Sequence, residues 1–572
     1  MTRRLNSHCA GLLVAGLLWL GQGIGSNAAE GSAAAHGQGL PVGMPFDLQG
    51  FIDKEVKAGA KRIVVPPGRY RVTPQDRQHL HLRELKDLQI VADDVEMICT
   101  ETTRAITITG CTNVTLRGLK IDYDPLPYTQ GRIVAISADR QTYEVELFEG
   151  YPEAGTVRNF KYEIFRPDTR TLRCEDRSVS KIEVGDSRHL RLTCPGRHDV
   201  QPEQVGDLIV IGSEYAPHGN APHAIECRSN VNVRLENIEL FASNCFGFLE
   251  FNCDGGVYAS CRVGRRSPED DPIKRASPRL RALNADAYHS KHAIKGPSYL
   301  ECAARFMGDD CINICGDYHM IMSSQGQELR VLAKGNMNIQ PGDPVELVLY
   351  TGERLPDAKA VSIQSAGSIL EDERAFLAKQ YLDADLKSAR GLSKAFLLRL
   401  DREVSIRRGG IVCSANRIGN GFAVKNCDFG FNRSRGILIK ANHGEVISNR
   451  MEGCWMSAIL VSPEYWWLEA GTSIDLKIVG NTVTNCYGVP IRIEATGGNG
   501  DIAPAGAHRG ITITDNTVTG CAMPGILVTS TADLRIERNT LGQWTGAQHI
   551  PDEMRRAGLT ELKPVVEIKC SK

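Results

Sequence analysis

The chain has 572 residues with 67 Lys+Arg against 68 Asp+Glu, a net charge of -1, which excludes the broad basic face that a nucleic-acid or polyphosphate partner requires. Aromatic residues make up only 6% while 56 glycines punctuate runs of Val, Ile, Thr and Asn, so the expected fold is all-β and rich in turns. The length allows several domains or one long repeat array. At the N-terminus, Arg3 and Arg4 precede an apolar run from Cys9 to Leu20, and small residues follow at Ser26-Asn27-Ala28-Ala29. That order reads as a signal peptide over residues 1–28, making the protein exported, periplasmic or secreted. The apolar run is shorter than a membrane span, and no second one would retain the mature chain. Of 18 cysteines, one lies in the signal, and none forms the compact pairs of a zinc site. Export permits disulfides, but the repeat positions of these cysteines read as buried thiols acting as small hydrophobes.

After a Gly/Ala-rich linker (29–43), Phe46, Leu48, Phe51, Ile52 and Val56 fall on one face of a short amphipathic helix. This helix leads into a strand, a Pro-Pro-Gly turn and a second strand, and is placed to cap an open first coil, so 44–127 reads as cap and first coils. Farther on, repeats emerge. Asn449, Asn481 and Asn516 each precede a cysteine by five residues (Cys454, Cys486, Cys521), and each unit ends in a strand such as GILVT. Spacings near two dozen residues, stretched by loops, are those of a parallel β-solenoid with an Asn turn and an inward Cys per coil. Two stretches break the rhythm, 128–215 and 320–404. Each contains a Gln-x-Gly-Asp turn (Gln204–Asp207, Gln340–Asp343) before an alternating strand. They read as related β-barrel-like insertions, with helical spacing after Ile369 in the second. Coils then occupy 216–319 and 405–572. The fold class is a right-handed parallel β-helix with an N-terminal capping helix and two inserted barrel-like domains.

The chemistry concentrates in NADAYHSKHAIKGP and CAARFMGDDCINICGDY, which carry Asp286 and the adjacent pair Asp309 and Asp310. Asp286 and Asp309 are one coil apart, and coils stack at about 4.8 Å, so these carboxylates come close. Like charges at that distance push one pKa up, leaving one group protonated beside ionised neighbours; glycoside hydrolysis needs that division. A calcium site and an ordinary solvated turn are the alternatives on residues alone. Alternation in a strand opposes a shared face for Asp309 and Asp310, because Asp309 has the parity of Cys311 and Cys315. Both reach one cleft only if Gly308-Asp309-Asp310 bulges or turns.

The two segments together resemble glycoside hydrolase family 110, exported α-1,3-galactosidases acting on blood-group-B-like and related glycans. The likeness extends to RGILIKANHGEVISNRMEGCW from Arg435 and covers most of the mature chain. A more distant likeness is to polygalacturonases, which share an Asn-x-Asp and a Gly-Asp-Asp-Cys-Ile segment but also carry a Gly-His-Gly that is missing here. The resemblance implies an inverting, cofactor-free, exo-acting hydrolase that needs no metal and whose partner is a glycan ending in α-galactose. Its three acidic residues correspond to Asp286, Asp309 and Asp310. By the polygalacturonase analogy Asp309 is the general acid, and Asp286 with Asp310 holds and deprotonates the water. Lys440 partly matches the polygalacturonase lysine. His289, His292 and His443 are further candidates for sugar hydroxyls, with Glu464 and a Trp466 platform in a loop that lengthens one coil. Alternatives are a polygalacturonase-like hydrolase or lyase of another polysaccharide, and a non-catalytic calcium-binding β-helix adhesin.

Overall fold

The computed structural model describes residues 43–572 apart from 158–160, 195–202, 213–221, 547–549, 551–554 and 556–557. The signal-peptide reading and all but the last residue of the linker lie outside the described residues. The chain is mostly β, with long parallel sheets and few helices. Each regular coil gives one strand to a twelve-stranded sheet and two short ones to a second, larger sheet. Tyr288–Lys291, Ser298–Leu300 and Ala303–Arg305 form one such coil, and Ile312–Asp317 begins the next. Successive coils pair in parallel register: Tyr288 faces Ile312, which faces Ile437, which faces Ile459.

The register follows from what each strand buries. Phe248, Tyr288, Ile312, Ile437, Ile459 and Ile491 form one inward column of the continuous solenoid core, and a slip of one residue would turn that column out. The asparagine ladder implied by the repeat spacing is present. Asn449 and Asn481 each donate from backbone N and side-chain Nδ2 to the next Oδ1, at 2.9–3.0 Å, and Asn516 does the same to Asn539. These amides satisfy buried backbone polar groups at the turns. Cys454, Cys486 and Cys521 lie in the core beside them, and the cysteines whose side chains are described are free thiols, buried except for the half-buried Cys570.

Helix Leu48–Lys57 begins at Asp47, whose side chain accepts from Gly50 N. It packs Leu48 and Ile52 onto the first coil, and Gln49 bonds the backbone of His81 through both ends of its amide.

The two insertions differ. The first is a seven-stranded antiparallel sheet running from Tyr128–Ile136 to Leu208–Gly212, and among the described residues its two edge strands, Leu172–Ser178 and Lys181–Val184, do not pair. The second closes into a six-stranded antiparallel barrel, sealed by Ile411–Ser414 between His319–Gln325 and Pro344–Val348. The two-barrel expectation therefore holds for one insertion only. The turns that suggested kinship are alike in detail: Asp207 accepts from Gln204 N at 2.8 Å and Asp343 from Gln340 N at 3.0 Å.

Candidate active site

The site is built on one recurring bend. Just before six consecutive strands of the twelve-stranded sheet, two residues bend the chain: Asn244-Cys245, Asn284-Ala285, Gly308-Asp309, Arg433-Ser434, Trp455-Met456 and Tyr487-Gly488. The residue after each bend is in ladder register with its counterparts, giving a column Phe246, Asp286, Asp310, Arg435. Asp286 therefore sits over Asp310, 24 residues on, rather than over Asp309. Asp310 N donates to Asp286 Oδ1 at 3.2 Å, and Ala287 N donates to the Asp310 carbonyl at 2.9 Å.

The bend also removes the alternation obstacle. Gly308 and Asp309 are outside the strand, which starts at Ile312. A Cβ on Gly308 would lie 2.6 Å from the Asn284 carbonyl oxygen, so only glycine lets the coils approach here. Cys311 faces the core as expected. Cys315 does not: with Ile312 and Ile314 inward, Cys315 points out, its Sγ 3.8 Å from His289 Nε2.

One carboxylate oxygen from each of Asp286, Asp309 and Asp310 lies within 4.8 Å of the others. Asp286 and Asp310 are buried, at 5% and 2% side-chain exposure, while Asp309 is more open at 14%. Burial, opposed by Arg435, pushes the Asp310 carboxyl up to about 7. Burial and the neighbouring Asp309 hold Asp286 well above the usual carboxylate range. The pair titrates as a unit and retains a proton near neutrality. Two arginines from the next coil balance the charge. Arg433 Nη2 is 2.5 Å from Asp309 Oδ2, and Arg435 donates to Asp310 from backbone N at 2.8 Å and Nη2 at 2.9 Å.

His289, expected to bind sugar hydroxyls, instead meets Asp286: Nδ1 is 2.8 Å from Oδ2. Its ring stacks on Phe246 at 4.5 Å and 7°, and Phe246 stacks on His223. Burial lowers the imidazole to about 4, so it stands neutral beside Asp286 near pH 7. Lys440 is fully buried, with Nζ 2.9 Å from both Glu464 and Glu469 and 3.3 Å from Asn313 Oδ1. Glu464 and Glu469 pair across a hairpin whose return strand runs antiparallel onto the end of Ile312–Asp317. Glu464 also lies 3.8 Å from Arg435, tying this hairpin to the carboxylates.

Trp466 is at the hairpin tip, its ring 4.3 Å from Tyr381 of the second insertion. His292 pairs with Asp317 at 2.9 Å, in a buried network with Lys291 and Lys334, both 3.0 Å from that carboxylate. His443 is exposed and 3.3 Å from Asp475. It follows its strand whereas the carboxylates precede theirs, so it is not part of the cluster.

Two groups among the described residues offer three ligand atoms close enough for a metal ion, the Asp trio and His289, Cys315 and Glu469. In both, a protein cation already occupies a ligand position: Arg433 and Arg435 in the first, Lys440 in the second. A divalent ion would have to displace it.

The chain is similar over 555 residues to α-1,3-galactosidase A of Bacteroides fragilis, 22% identical across 86% of this chain and 84% of that one. The chain is a homologue of the α-1,3-galactosidases. α-1,3-Galactosidase B of Bacteroides thetaiotaomicron matches at 22% over 84% of this chain and 77% of its own length. The Streptomyces avermitilis enzyme A is 28% identical, but the match spans 42% of this chain and only 38% of that enzyme. Residues 401–541 match a family model described as a right handed beta helix region. The resemblance read from the Asp segments is thus borne out over most of the chain. What sequence reasoning missed in this galactosidase homologue is the cationic half of the site. Arg435 opens the quoted RGILIK motif and Arg433 lies just before it, yet nothing in their spacing ties them to aspartates 125 and 124 residues earlier.

Proposed function

We propose that this protein is an exported, exo-acting glycoside hydrolase that removes terminal α-1,3-linked galactose from glycans, with inversion and without a cofactor. The observation that carries the reading is the trio itself, three carboxyl groups with oxygens within 4.8 Å, two of them buried, with that burial pushing both carboxyls up. Similarity to α-1,3-galactosidases supports a terminal α-1,3-linked galactose as the substrate. The scaffold is read as a right-handed β-helix capped by helix Leu48–Lys57, with 128–215 and 320–404 as insertions beside the site and residues 1–28 as the export signal.

Asp309 is the most open of the three, so it is the carboxyl that can meet a glycosidic oxygen, and we assign it as general acid. Asp286 and Asp310, stacked behind it, hold the attacking water. Inverting enzymes ordinarily keep acid and base about 6.5–9.5 Å apart. The nearest oxygens here are closer, and the water sits among three carboxyls rather than between two. For that role the proton kept by the Asp286–Asp310 pair passes first to Asp309. As water then attacks the anomeric carbon, its proton goes to the ionised pair and the leaving oxygen takes the proton from Asp309, which restores the starting state. Arg433 and Arg435 stabilise the carboxylates left behind. A second assignment, favoured by the raised Asp286 carboxyl and its His289 contact, makes Asp286 the acid. Hydrolysis of an aryl α-galactoside and of Galα1,3Gal, with and without a chelator, tests the function. Chelator-insensitive galactose release supports it. Unsaturated uronate from a polyuronide indicates a lyase, and lack of turnover on any glycan indicates a binding protein.

A further inference from the structure

The bend that carries the carboxylates continues beyond them. Its first position is Gly308 in the Asp309 coil, Arg433 in the next, then Trp455, then Tyr487. Backbone bonds keep this line in step: Arg433 N donates to the Met307 carbonyl, Trp455 N to Asn432 and Tyr487 N to Cys454, each at 3.1 Å. Asn432 joins the line to the site, its Nδ2 donating to the Asp309 carbonyl at 2.9 Å. Coils rise by about 4.8 Å each, so Trp455 is about 10 Å and Tyr487 about 15 Å along the turn edge from Asp309.

Neither ring is hidden. Trp455 is half-buried, its inner edge against the core, and Tyr487 is 40% exposed. The two rings pack at 4.5 Å and 34°. Preceding coils place Asn244, Asn284, Gly308 and Arg433 at this position, so the aromatic character begins one coil past the arginine that grips Asp309. Flat, partly wet aromatic surfaces suit the apolar face of a hexose, with the Tyr hydroxyl left free to bond.

We propose that Trp455 and Tyr487 form a sugar-stacking platform for the part of the glycan beyond the galactose being removed. The occupant is a neutral hexose of the same substrate chain, because the platform lies along one edge with the carboxylates at oligosaccharide spacing. The proposal rests on the α-galactosidase reading of Asp286, Asp309 and Asp310 and extends it to the substrate class: oligosaccharides longer than a disaccharide.

Two readouts separate this proposal from the reading beneath it. In the first, kcat and KM are measured for wild type, Tyr487→Ala and Trp455→Ala on an aryl α-galactoside and on a B-type tetrasaccharide. The ratio of kcat/KM, tetrasaccharide over aryl substrate, should fall roughly ten-fold in each variant, through KM. Equal losses on both substrates, or none on either, overturn the platform. Tyr487→Ala is the safer variant, since Trp455 also packs on the core; thermal unfolding identifies a folding defect. In the second, Asp310→Asn, with and without Tyr487→Ala, is titrated with the tetrasaccharide by tryptophan fluorescence. Binding weakened roughly ten-fold by Tyr487→Ala supports the platform even if wild type cleaves no galactoside, in which case only the reading of the Asp trio fails. Binding that is undetectable, or indifferent to Tyr487→Ala, overturns the platform even if the enzyme is active.

Discussion

Glu250 faces into the solenoid core, 1% exposed, from the strand that pairs with Tyr288–Lys291. Its Oε1 accepts from Ser290 Oγ at 2.7 Å and its Oε2 from Tyr258 OH at 3.3 Å. A Cβ on Gly256 would come within 2.2 Å of Oε2, so the glycine makes room for the acid. Burial pushes this carboxyl from the ordinary 4.5 up to about 7. The folded pKa is raised, so stability is full below pH 4.5, where both states are protonated. It falls as pH rises to about 7, because the unfolded chain ionises while the folded one does not, and it levels off above that. At about 1.4 kcal/mol per pH unit the loss from this group is about 3 kcal/mol. The neighbouring thiols of Cys227 and Cys253 are pushed up by burial and do not ionise in this window. Glu250→Gln keeps an acceptor for Ser290 and cannot ionise. Urea unfolding of both proteins from pH 4 to pH 8 should show the variant gaining on wild type by about 3 kcal/mol, mostly between pH 4.5 and 7. A gap that stays constant over that range would refute the burial argument. Ser290 lies between His289 and Lys291, so the same titration loosens the strand under the active site.

Other tests address the site. Asp309→Asn should keep its circular dichroism spectrum and lose about 10²–10⁴ in kcat/KM. The loss should shrink on a dinitrophenyl galactoside, whose leaving group needs no proton; if Asp286→Asn shows that rescue instead, the acid is Asp286. Lys440→Met leaves Glu464 and Glu469 without their shared cation and should cost about 3–5 kcal/mol in denaturant unfolding, whereas a merely solvated lysine would cost nothing measurable. His443→Ala, out on the turn with Asp475, should change kcat/KM by less than about two-fold, within the small effects usual for surface positions; a large loss would return it to the site.

Much of this was readable beforehand because a solenoid writes its contacts locally. Asn449, Asn481 and Asn516 announced their ladder by spacing, and Asp286 and the Asp309-Asp310 pair lie on uninterrupted consecutive coils. The one-residue error in pairing, Asp286 over Asp310, arose because the turn between Tyr288–Lys291 and Ser298–Leu300 lengthens that coil, and turn geometry rather than alternation decides which side chains meet. Cys315 was misplaced by assuming one parity from Cys311 onward, although Cys311 precedes the strand. Arg433 and Arg435 were out of reach for a different reason. The second insertion separates neighbouring coils, so Ile312 pairs with Ile437 across a barrel that sequence distance cannot see through. Glu469 depends on the same jump, since its hairpin packs on the strand entering that barrel.

The most direct trial is galactose release from Galα1,3Gal in the presence of excess chelator, by wild type and by Asp310→Asn. Steady release by wild type, with that of a folded Asp310→Asn variant at least about a hundred-fold lower, is the expected result. An active Asp310→Asn, or a wild type that frees galactose only when a divalent ion is restored, would contradict the three-carboxyl account.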